Sequence, residues 1–160
     1  MKKFLLCVLV VAVVLSPACF AWAKNNNTLV ALDFRLSGLD QKTYSLSDYK
    51  GKSNVLLFFW TTWCPFCRNE IKKLSARSVE LVKDGIVVLA INVGEPKEKV
   101  ERYTSANGVR FPVLFDEDTT VSDTYGIMGV PTFFLVGKNG MVVFSDNYFP
   151  DDYKGILPKN

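Results

Sequence analysis

The feature that most constrains the fold is a pair of cysteines, Cys64 and Cys67, placed where an apolar run gives way to an amphipathic one. Residues 55–59 are continuously apolar, which is typical of a buried strand. Residues 68–83 predict a helix, because their apolar side chains recur at the spacing of one helical face. A C-x-x-C pair at a strand-to-helix junction, near a β-α-β pattern, indicates a redox motif. The residues expected to face inward on this helix are Cys67, Ile71, Leu74, Leu81 and Val82.

The start of a helix suggests how the two sulfurs differ. Unpaired backbone N–H groups and the helix dipole favour negative charge at this position. We therefore expect Cys64 to be the attacking thiolate. Cys67 lies one turn further into the helix, where it would be shielded and would resolve a mixed disulfide.

Two other uses of the cysteine pair are weaker. A static disulfide would close a loop of only four residues and stabilise the fold by roughly 2 kcal/mol. A structural zinc site needs two more ligands. The chain has no histidine, and its other two cysteines lie in the N-terminal segment.

Residues 1–23 have the pattern of a secretory signal peptide: a basic start, an apolar run at residues 4–15 and a small-residue cleavage pattern at residues 21–23. We therefore expect export and removal of this segment. Two alternatives remain: lipidation at Cys19, or retention of residues 4–23 as a membrane anchor, for which the stretch is just long enough. All three place the rest of the chain in the periplasm or on the outer face of the cytoplasmic membrane.

The rest of the chain divides into a polar linker, residues 24–28, and a single domain, residues 29–160, as the length predicts. Two of the 19 basic residues lie in the signal segment, and the remaining 17 nearly balance 16 acidic residues. This balance gives no basis for nucleic-acid binding. Two of the four cysteines lie in the domain, so a disulfide-rich scaffold is excluded.

Patterns along the domain predict an α/β fold. Residues 86–93 form a second apolar run, as expected for a strand covered on both faces. A helix is predicted from residue 118, with Val121, Thr124 and Tyr125 facing inward. Together with the cysteine motif, these elements predict a mixed sheet with helices on both faces. The other predicted elements are a strand at 29–36 with a return at 44–46, a helix at 95–106, a strand at 113–115, and a hairpin of strands 132–136 and 141–144.

Residues 126–132 lead directly into a strand, and Pro131 stands at its start, where a missing N–H removes no ladder hydrogen bond. The Val130-Pro131-Thr132 segment resembles the cis-proline loop of thioredoxin-like proteins. A cis bond there would place the Val130 backbone beside Cys64, where an extended substrate could pair with it as an added strand. The alternative is an ordinary trans proline in a turn.

Five segments together carry a family resemblance: residues 46–52, 59–67, 90–95, 111–113 and 125–132. They resemble the TlpA/ResA-like branch of the thioredoxin superfamily, and the similarity covers residues 36–143. The expected fold is a thioredoxin-like three-layer α/β fold, with a mixed central sheet, helices on both faces and an extra N-terminal hairpin. The resemblance implies reduction of disulfides in exported proteins, including apocytochrome c before haem attachment. Electrons would come from a membrane thiol transporter of the CcdA/DsbD type, and neither a cofactor nor a metal is expected.

The same resemblance implies roles for residues around the sulfurs, with Cys64 and Cys67 forming the redox-active disulfide. Glu70 matches a carboxylate that tunes the active-site thiols of the family, and it shares a helix face with Cys67. If that face is buried, Glu70 could move protons to or from Cys67. The alternative is a surface glutamate favoured by the helix dipole. The candidate substrate-binding residues are Trp63, Pro65, Phe66, Val130 and Pro131.

Two departures from the family pattern matter. Residues 151–157 allow only a turn or two where the family closes with a longer helix, so one face or edge of the sheet is expected to be more open. The Pro65-Phe66 dipeptide offers no histidine to stabilise a thiolate. We therefore expect a reduction potential nearer to that of thioredoxin, about −270 mV, than to that of DsbA, about −120 mV, which favours a reductase.

Two other classes of function remain open. Residues 111–126 also resemble peroxiredoxins, although residues 59–67 lack the Pro-x-x-x-Thr-x-x-Cys loop of those peroxidases. A Cu(I)-binding or delivery protein is the second alternative, because thiolates suit Cu(I). Delivery proteins of this type use a wider cysteine spacing and a histidine.

Overall fold

The computed structural model describes residues 29–157. The predicted signal segment and linker lie outside the described residues. Within residues 29–157, no helix has the length and apolar character needed to span a membrane. The strands are β1 (Arg35–Ser37), β2 (Thr43–Ser45), β3 (Asn54–Trp60), β4 (Ile86–Val93), β5 (Val113–Asp116), β6 (Thr132–Val136) and β7 (Val142–Asp146). The helices are α1 (Pro65–Ala76), α2 (Ser78–Lys83), α3 (Lys97–Asn107) and α4 (Thr120–Thr124), with 3-10 turns at Leu46–Tyr49 and Tyr153–Ile156.

Five strands form the central sheet in the order β5-β4-β3-β6-β7. The β3–β4 and β4–β5 pairs are parallel, whereas the β3–β6 and β6–β7 pairs are antiparallel. Every residue of β3 is buried, because the strand has a neighbour on each edge and a packed layer on each face. This position explains its continuous apolar run. The predicted mixed sheet and C-terminal hairpin are confirmed.

The sheet separates two hydrophobic clusters. On one face, Ile71 of α1 and Val100 of α3 belong to the same cluster as Phe58 of β3. On the other face, Val121 of α4 belongs to the cluster of Phe59. Successive residues of β3 therefore serve opposite layers, as the alternation of a strand requires. The predicted three-layer fold with helices on both faces is confirmed.

The predicted N-terminal hairpin is present but shorter than expected. β1 pairs with β2 in antiparallel register over three residue pairs. The strand predicted at residues 29–36 is wrong before Arg35, where Val30 forms only an isolated bridge with Met141. The reason is that β2 ends where the 3-10 turn begins at Leu46, so the preceding residues have no ladder partner there.

The helix predicted at residues 68–83 is in fact two helices, α1 and α2, which meet at Arg77. The Arg77 guanidinium donates hydrogen bonds to the side chain and the carbonyl of Asp151, both at 2.8 Å. The break changes the phase of the helical face. Leu81 is fully buried as predicted, but Val82 is 68% exposed, so its predicted inward position is wrong.

The predicted inner face of α4 is partly wrong. Val121 is buried and Tyr125 is half-buried, as expected, but Thr124 is exposed and Ser122 is buried instead. The buried Asp116 carboxylate accepts hydrogen bonds from the backbone N–H groups of Val121 and Ser122, at 3.0 and 2.8 Å. These bonds hold the start of α4 against β5 and so set which residues point inward.

A single 3-10 turn, Tyr153–Ile156, closes the domain where the family pattern has a longer helix. Tyr153 has no exposed surface, stacks on Phe149 and donates a hydrogen bond to Asp84. This segment covers the face of the sheet that carries α1. The more open part of the sheet is its β7 edge, which alternates between half-buried and exposed residues.

Candidate functional site

β3 brings the first sulfur to the edge of the sheet. Beyond the end of β3, Cys64 caps the N-terminus of α1, and Pro65 is the first helical residue. Proline suits that position because its fixed φ fits the helix and its missing N–H is not needed there. The Cys64 Sγ accepts a hydrogen bond from the Cys67 backbone N–H at 3.2 Å. The unpaired N–H groups of such a helix start stabilise a sulfur that carries negative charge.

The second sulfur lies inside the protein. Both cysteines are free thiols, and Cys67 has no exposed surface. Burial, together with a side-chain hydrogen bond between the Cys67 thiol and the Cys64 sulfur, raises the pKa of the Cys67 thiol. Cys67 therefore stays protonated at neutral pH and must lose its proton before it can attack another sulfur.

A cis peptide bond faces the first sulfur. The Val130–Pro131 bond is cis, as predicted, with Val130 half-buried and Pro131 buried. The Cys64 thiol donates a hydrogen bond to the Val130 carbonyl oxygen, with 3.5 Å between the sulfur and the oxygen. The Asn147 side-chain amide donates to the Pro131 carbonyl at 2.8 Å and supports the loop from the other side. Sequence reasoning missed Asn147, because no local pattern marks it.

Exposed apolar side chains surround the buried sulfur of Cys64. Trp63 and Phe66, on either side of it in the chain, are exposed, Phe66 to 72%. Pro65 between them is also exposed, as is Met128 in the loop that leads to the cis bond. We call these four residues the apolar rim. Three of the four residues flank Cys64 in the chain, and Met128 precedes Val130, whose carbonyl oxygen contacts the Cys64 sulfur.

Glu70 lies on the buried face of α1 together with Cys67. Its carboxylate oxygen Oε1 is 2.8 Å from Lys73 Nζ, and the side chain of Lys73 reaches solvent. The Glu70 carboxylate raises the pKa of Lys73. The predicted role of Glu70 depended on burial of the helix face that it shares with Cys67, and this face is buried. Proton transfer between Glu70 and Cys67 stays a prediction.

A buried carboxylate holds the segment that precedes the sulfurs. Glu95 lies in the connection between β4 and α3. Its carboxylate accepts hydrogen bonds from the Thr62 backbone N–H at 2.6 Å and from the Thr62 hydroxyl at 2.7 Å. The Arg68 Nε donates to the Thr62 carbonyl at 2.8 Å. All three polar groups of Thr62 are thus fixed two residues before Cys64. Sequence reasoning missed this anchor, although Glu95 ends one of the five segments that carry the family resemblance.

The surroundings of Glu95 favour its charged form. Burial alone would raise the pKa of Glu95, but hydrogen bonds from Lys99, Asn92 and Thr62 outweigh it, and the pKa is lowered. The Lys99 ammonium lies 2.7 Å from one carboxylate oxygen, and the Asn92 amide donates to the other at 2.8 Å. A carboxylate with several such partners contributes to stability only while it is ionised.

Replacement of this carboxylate by an amide is expected to destabilise the fold. In Glu95→Gln the amide NH2 would face groups that are themselves donors, so the free energy of unfolding at pH 7 should fall by about 2 kcal/mol. The pKa of Glu95 is lower in the folded protein than in the unfolded chain, where it is near 4.5. The Glu95 carboxylate therefore contributes fully to the free energy of unfolding above pH 4.5, and this contribution is lost as the pH falls through the folded-state pKa. The difference between wild type and variant should therefore shrink below pH 4.5. Urea unfolding of the reduced proteins at several pH values measures it.

The matched control is Glu101→Gln in α3, the helix that begins two residues after Glu95. Glu101 pairs only loosely with Lys97, at 3.6 Å, and both side chains are 42% exposed. Its replacement should change the free energy of unfolding by less than about 0.5 kcal/mol. Equal stability of Glu95→Gln and Glu101→Gln at pH 7 would contradict the anchoring role of Glu95.

The arrangement is suited to exchange between thiols and disulfides. The Cys64 sulfur lies at a helix start, the Cys67 thiol is buried one turn further along the helix, and the Val130 carbonyl beside the cis bond faces the Cys64 sulfur. Within residues 29–157, no three His, Cys, Asp or Glu side chains converge closely enough to hold a metal ion. Fold and site together define a thioredoxin-like protein with a C-x-x-C dithiol.

Comparison with known proteins places the chain more narrowly. The profile of the AhpC/TSA family matches residues 29–145, so the chain belongs to that family. It is 42% identical over 112 residues to thiol-disulfide oxidoreductase ResA of Geobacillus thermodenitrificans (strain NG80-2). The aligned region covers 70% of this chain and 64% of that protein. It is 39% identical over 113 residues to ResA of Bacillus subtilis (strain 168), with 71% and 63% covered. The chain thus spans slightly less than two thirds of these relatives.

Solved structures support the same fold. A thiol:disulfide interchange protein of the thioredoxin family from Chlorobium tepidum TLS superposes with a TM-score of 0.69 and 27% identity. The superposition covers 81% of this chain and 94% of that chain. The resemblance to ResA-like proteins and the thioredoxin-like fold, both predicted from the sequence, are therefore confirmed.

Proposed function

We propose that this protein is an extracytoplasmic thiol-disulfide oxidoreductase that reduces disulfides in exported proteins through Cys64 and Cys67. The observation that carries the proposal is the position of the Cys64 Sγ, capped by the Cys67 N–H and 3.5 Å from the Val130 carbonyl beside the cis bond. A sulfur held at a helix start next to an open backbone segment is placed to meet the sulfur of an extended partner chain.

The reaction is an exchange of two electrons between sulfur pairs. The Cys64 thiolate attacks one sulfur of the partner's disulfide, and a mixed disulfide forms as the partner's other sulfur leaves as a thiolate. Cys67 then loses its proton and attacks the Cys64 sulfur. The Cys64–Cys67 disulfide forms, the second partner sulfur is released, and the partner thiolates take up two protons. Each cycle oxidises the dithiol of this protein and reduces one disulfide of the partner.

Partner docking is assigned to two features beside Cys64. The partner's backbone pairs with the Val130 backbone as an added strand, which accepts many sequences. Its side chains contact the apolar rim, formed by Trp63, Pro65, Phe66 and Met128. Pro131 holds the Val130 carbonyl towards the sulfur, and Asn147 supports that loop.

Resolution of the mixed disulfide needs a proton acceptor, because burial keeps Cys67 protonated. Glu70 is the candidate, since it lies on the same buried face one turn along α1. The Lys73 ammonium that contacts it is exposed, so a proton taken from Cys67 has a route towards solvent.

The pattern of the N-terminal segment supports the cellular setting that we propose. Residues 1–23 direct export, and residues 4–23 can tether the domain where they are retained. The partners are disulfide-bearing exported proteins, with apocytochrome c as one candidate. A membrane thiol transporter of the CcdA/DsbD type supplies the electrons that regenerate the dithiol.

The test is a covalent trap of the natural partner. In Cys67→Ser the resolving sulfur is missing, so partner proteins should accumulate on Cys64 through a disulfide that a reducing agent releases. Mass spectrometry of the released proteins identifies them. The double variant Cys64→Ser/Cys67→Ser is the matched control, because it differs only in the attacking sulfur.

The outcome separates the proposed function from its main alternative. Exported proteins trapped by Cys67→Ser and absent from the double variant support the proposal, whereas equal recovery from both variants contradicts it. Membership of the AhpC/TSA family makes a peroxidase the second candidate. Thr61 does stand three residues before Cys64, but Leu57, in the buried strand β3, occupies the proline position of the peroxidase loop. Consumption of hydrogen peroxide with a dithiol donor would favour the peroxidase.

A further inference from the structure

The end of the sheet opposite Cys64 carries the second surface of interest. β3 starts at Asn54 and leads to Cys64, and its seven residues span about 20 Å. At the start of β3, the Asn54 side chain accepts a hydrogen bond from the Lys138 N–H in the turn between β6 and β7. The first described residues lie at this same turn, because the Ala31 N–H donates to the Gly140 carbonyl at 3.0 Å. The described chain therefore begins at the end of the domain that lies away from the sulfurs.

Apolar side chains are exposed at this end. Leu29 and Val30 are 62% and 61% exposed, Leu32 is 50% exposed, and Val143 on the neighbouring strand is 38% exposed. We call these four residues the N-terminal patch. They are held in place, because the Val142 N–H donates to the Leu29 carbonyl at 2.8 Å. Exposed apolar side chains on an ordered backbone mark a surface that meets an apolar partner.

Lysines surround the N-terminal patch. Lys50, Lys52 and Lys138 lie on the segments that meet at the start of β3, where the Gly51 N–H donates to the Lys138 carbonyl. Among residues 29–157, none of the three has an acidic side chain within ion-pair distance. The acidic side chains nearby are Asp33 and Asp48, which accept hydrogen bonds from backbone N–H groups and stay charged, so the three lysines leave a net positive charge of one. The Lys52 ammonium donates a hydrogen bond to the Asp48 carbonyl at 2.9 Å, and no acidic side chain within residues 29–157 pairs with any of the three lysines.

The sequence before the patch points to the partner. Leu29 is separated by five residues, 24–28, from the apolar stretch at residues 4–23. Five residues reach at most about 17 Å. If that stretch is embedded in a bilayer, the patch must lie close to the bilayer surface. Exposed leucines and valines beside lysines are the side chains that bind the interface of an anionic membrane.

We propose that the N-terminal patch, with Lys50, Lys52 and Lys138, rests on the surface of an anionic lipid bilayer. This proposal rests on the tether in the proposed function and not on its redox chemistry. The domain then stands with β3 pointing out of the bilayer, and the end of β3 that leads to Cys64 lies about 20 Å further from the lipid than Asn54 does. In this docked position the apolar rim faces soluble partners, so reduction by a membrane thiol transporter requires the domain to leave the surface on its linker, residues 24–28.

The test is hydrogen exchange of the full chain incorporated into vesicles, read by mass spectrometry. Vesicles of equal parts phosphatidylcholine and phosphatidylglycerol are compared with vesicles of phosphatidylcholine alone. In the anionic vesicles, the amides of residues 29–32 and 138–143 should exchange at least about fivefold more slowly, because the three lysines attract the surface. The amides of residues 63–68 and 128–131 should exchange equally in both.

Variants separate the contribution of apolar contact from the contribution of charge. Leu29→Ser/Leu32→Ser should lose the protection by removing apolar contact, and Lys50→Gln/Lys138→Gln should lose it by removing charge. Lys72→Gln/Arg102→Gln makes the same change in charge at exposed residues of α1 and α3, and it should keep the protection. Circular dichroism checks that all variants are folded.

Three results would overturn the docking surface. They are equal exchange of residues 29–32 and 138–143 in both kinds of vesicle, protection of residues 63–68 instead, and protection that appears without vesicles as the protein concentration rises. The last result would assign the N-terminal patch to a second copy of this chain. The failure of the redox proposal is separate, because it would appear as missing mixed disulfides while the exchange pattern stayed the same.

Discussion

Replacement of Cys64 by serine is expected to reduce disulfide reduction by the full chain to the rate of the dithiol donor alone. A serine hydroxyl cannot attack the partner's disulfide to form a mixed disulfide. The first step of the exchange is therefore lost and not merely slowed. Turnover of insulin with a dithiol donor measures the effect. The variant should remain folded, because serine is smaller than cysteine and is itself a preferred residue at a helix N-cap, the position that Cys64 occupies in α1.

Two matched variants define the meaning of that loss. Cys67→Ser should also stop turnover, but it should leave Cys64 able to form one mixed disulfide per molecule, which a mass shift detects. Cys7→Ser changes a cysteine of the N-terminal segment and should leave turnover unaltered. Reduction of insulin by Cys64→Ser at the wild-type rate would remove the basis of the proposed function.

The largest effect on stability is expected from Phe58→Ala in the central strand. Phe58 has no exposed surface, and its ring stacks on Phe133 with 4.7 Å between the centroids. Removal of the ring should lower the free energy of unfolding by about 3–5 kcal/mol, because contacts are lost and a cavity remains. That loss is a large share of the 5–15 kcal/mol typical of a whole domain. Urea unfolding measures it.

Phe66→Ala is the control, since it is the same substitution at a residue that is 72% exposed. It should change the free energy of unfolding by less than about 0.5 kcal/mol. If Phe58→Ala proves no more destabilising than Phe66→Ala, the packing described for β3 is incorrect.

The parts of the fold that were predictable are those with a local cause. β3 and β4 are covered on both faces, so their sequences are almost continuously apolar and could be recognised as strands. Cys64 and Cys67 were recognisable because their spacing has a chemical meaning at a helix start. Pro131 was recognisable because its neighbours resemble a known loop, and the structure confirms the cis bond.

The parts that were missed have distant causes. The break between α1 and α2 contains neither glycine nor proline, and Arg77 at the break bonds to Asp151, 74 residues away. The anchor of the segment that precedes Cys64 joins Thr62 to Glu95 across 33 residues. Local patterns do not contain such pairings, since each partner alone is an ordinary polar residue.

The enclosure of Cys67 separates the two halves of the proposed cycle in time. Capture of a partner depends on the surface around Cys64, whereas release depends on removal of a proton from a thiol that solvent does not reach. A bound partner is therefore retained until deprotonation occurs, so the lifetime of the complex is set inside the protein and not by the strength of the outer contacts. If the proposed cycle operates, the protein can accept many partners weakly and still hold each one long enough to finish the exchange.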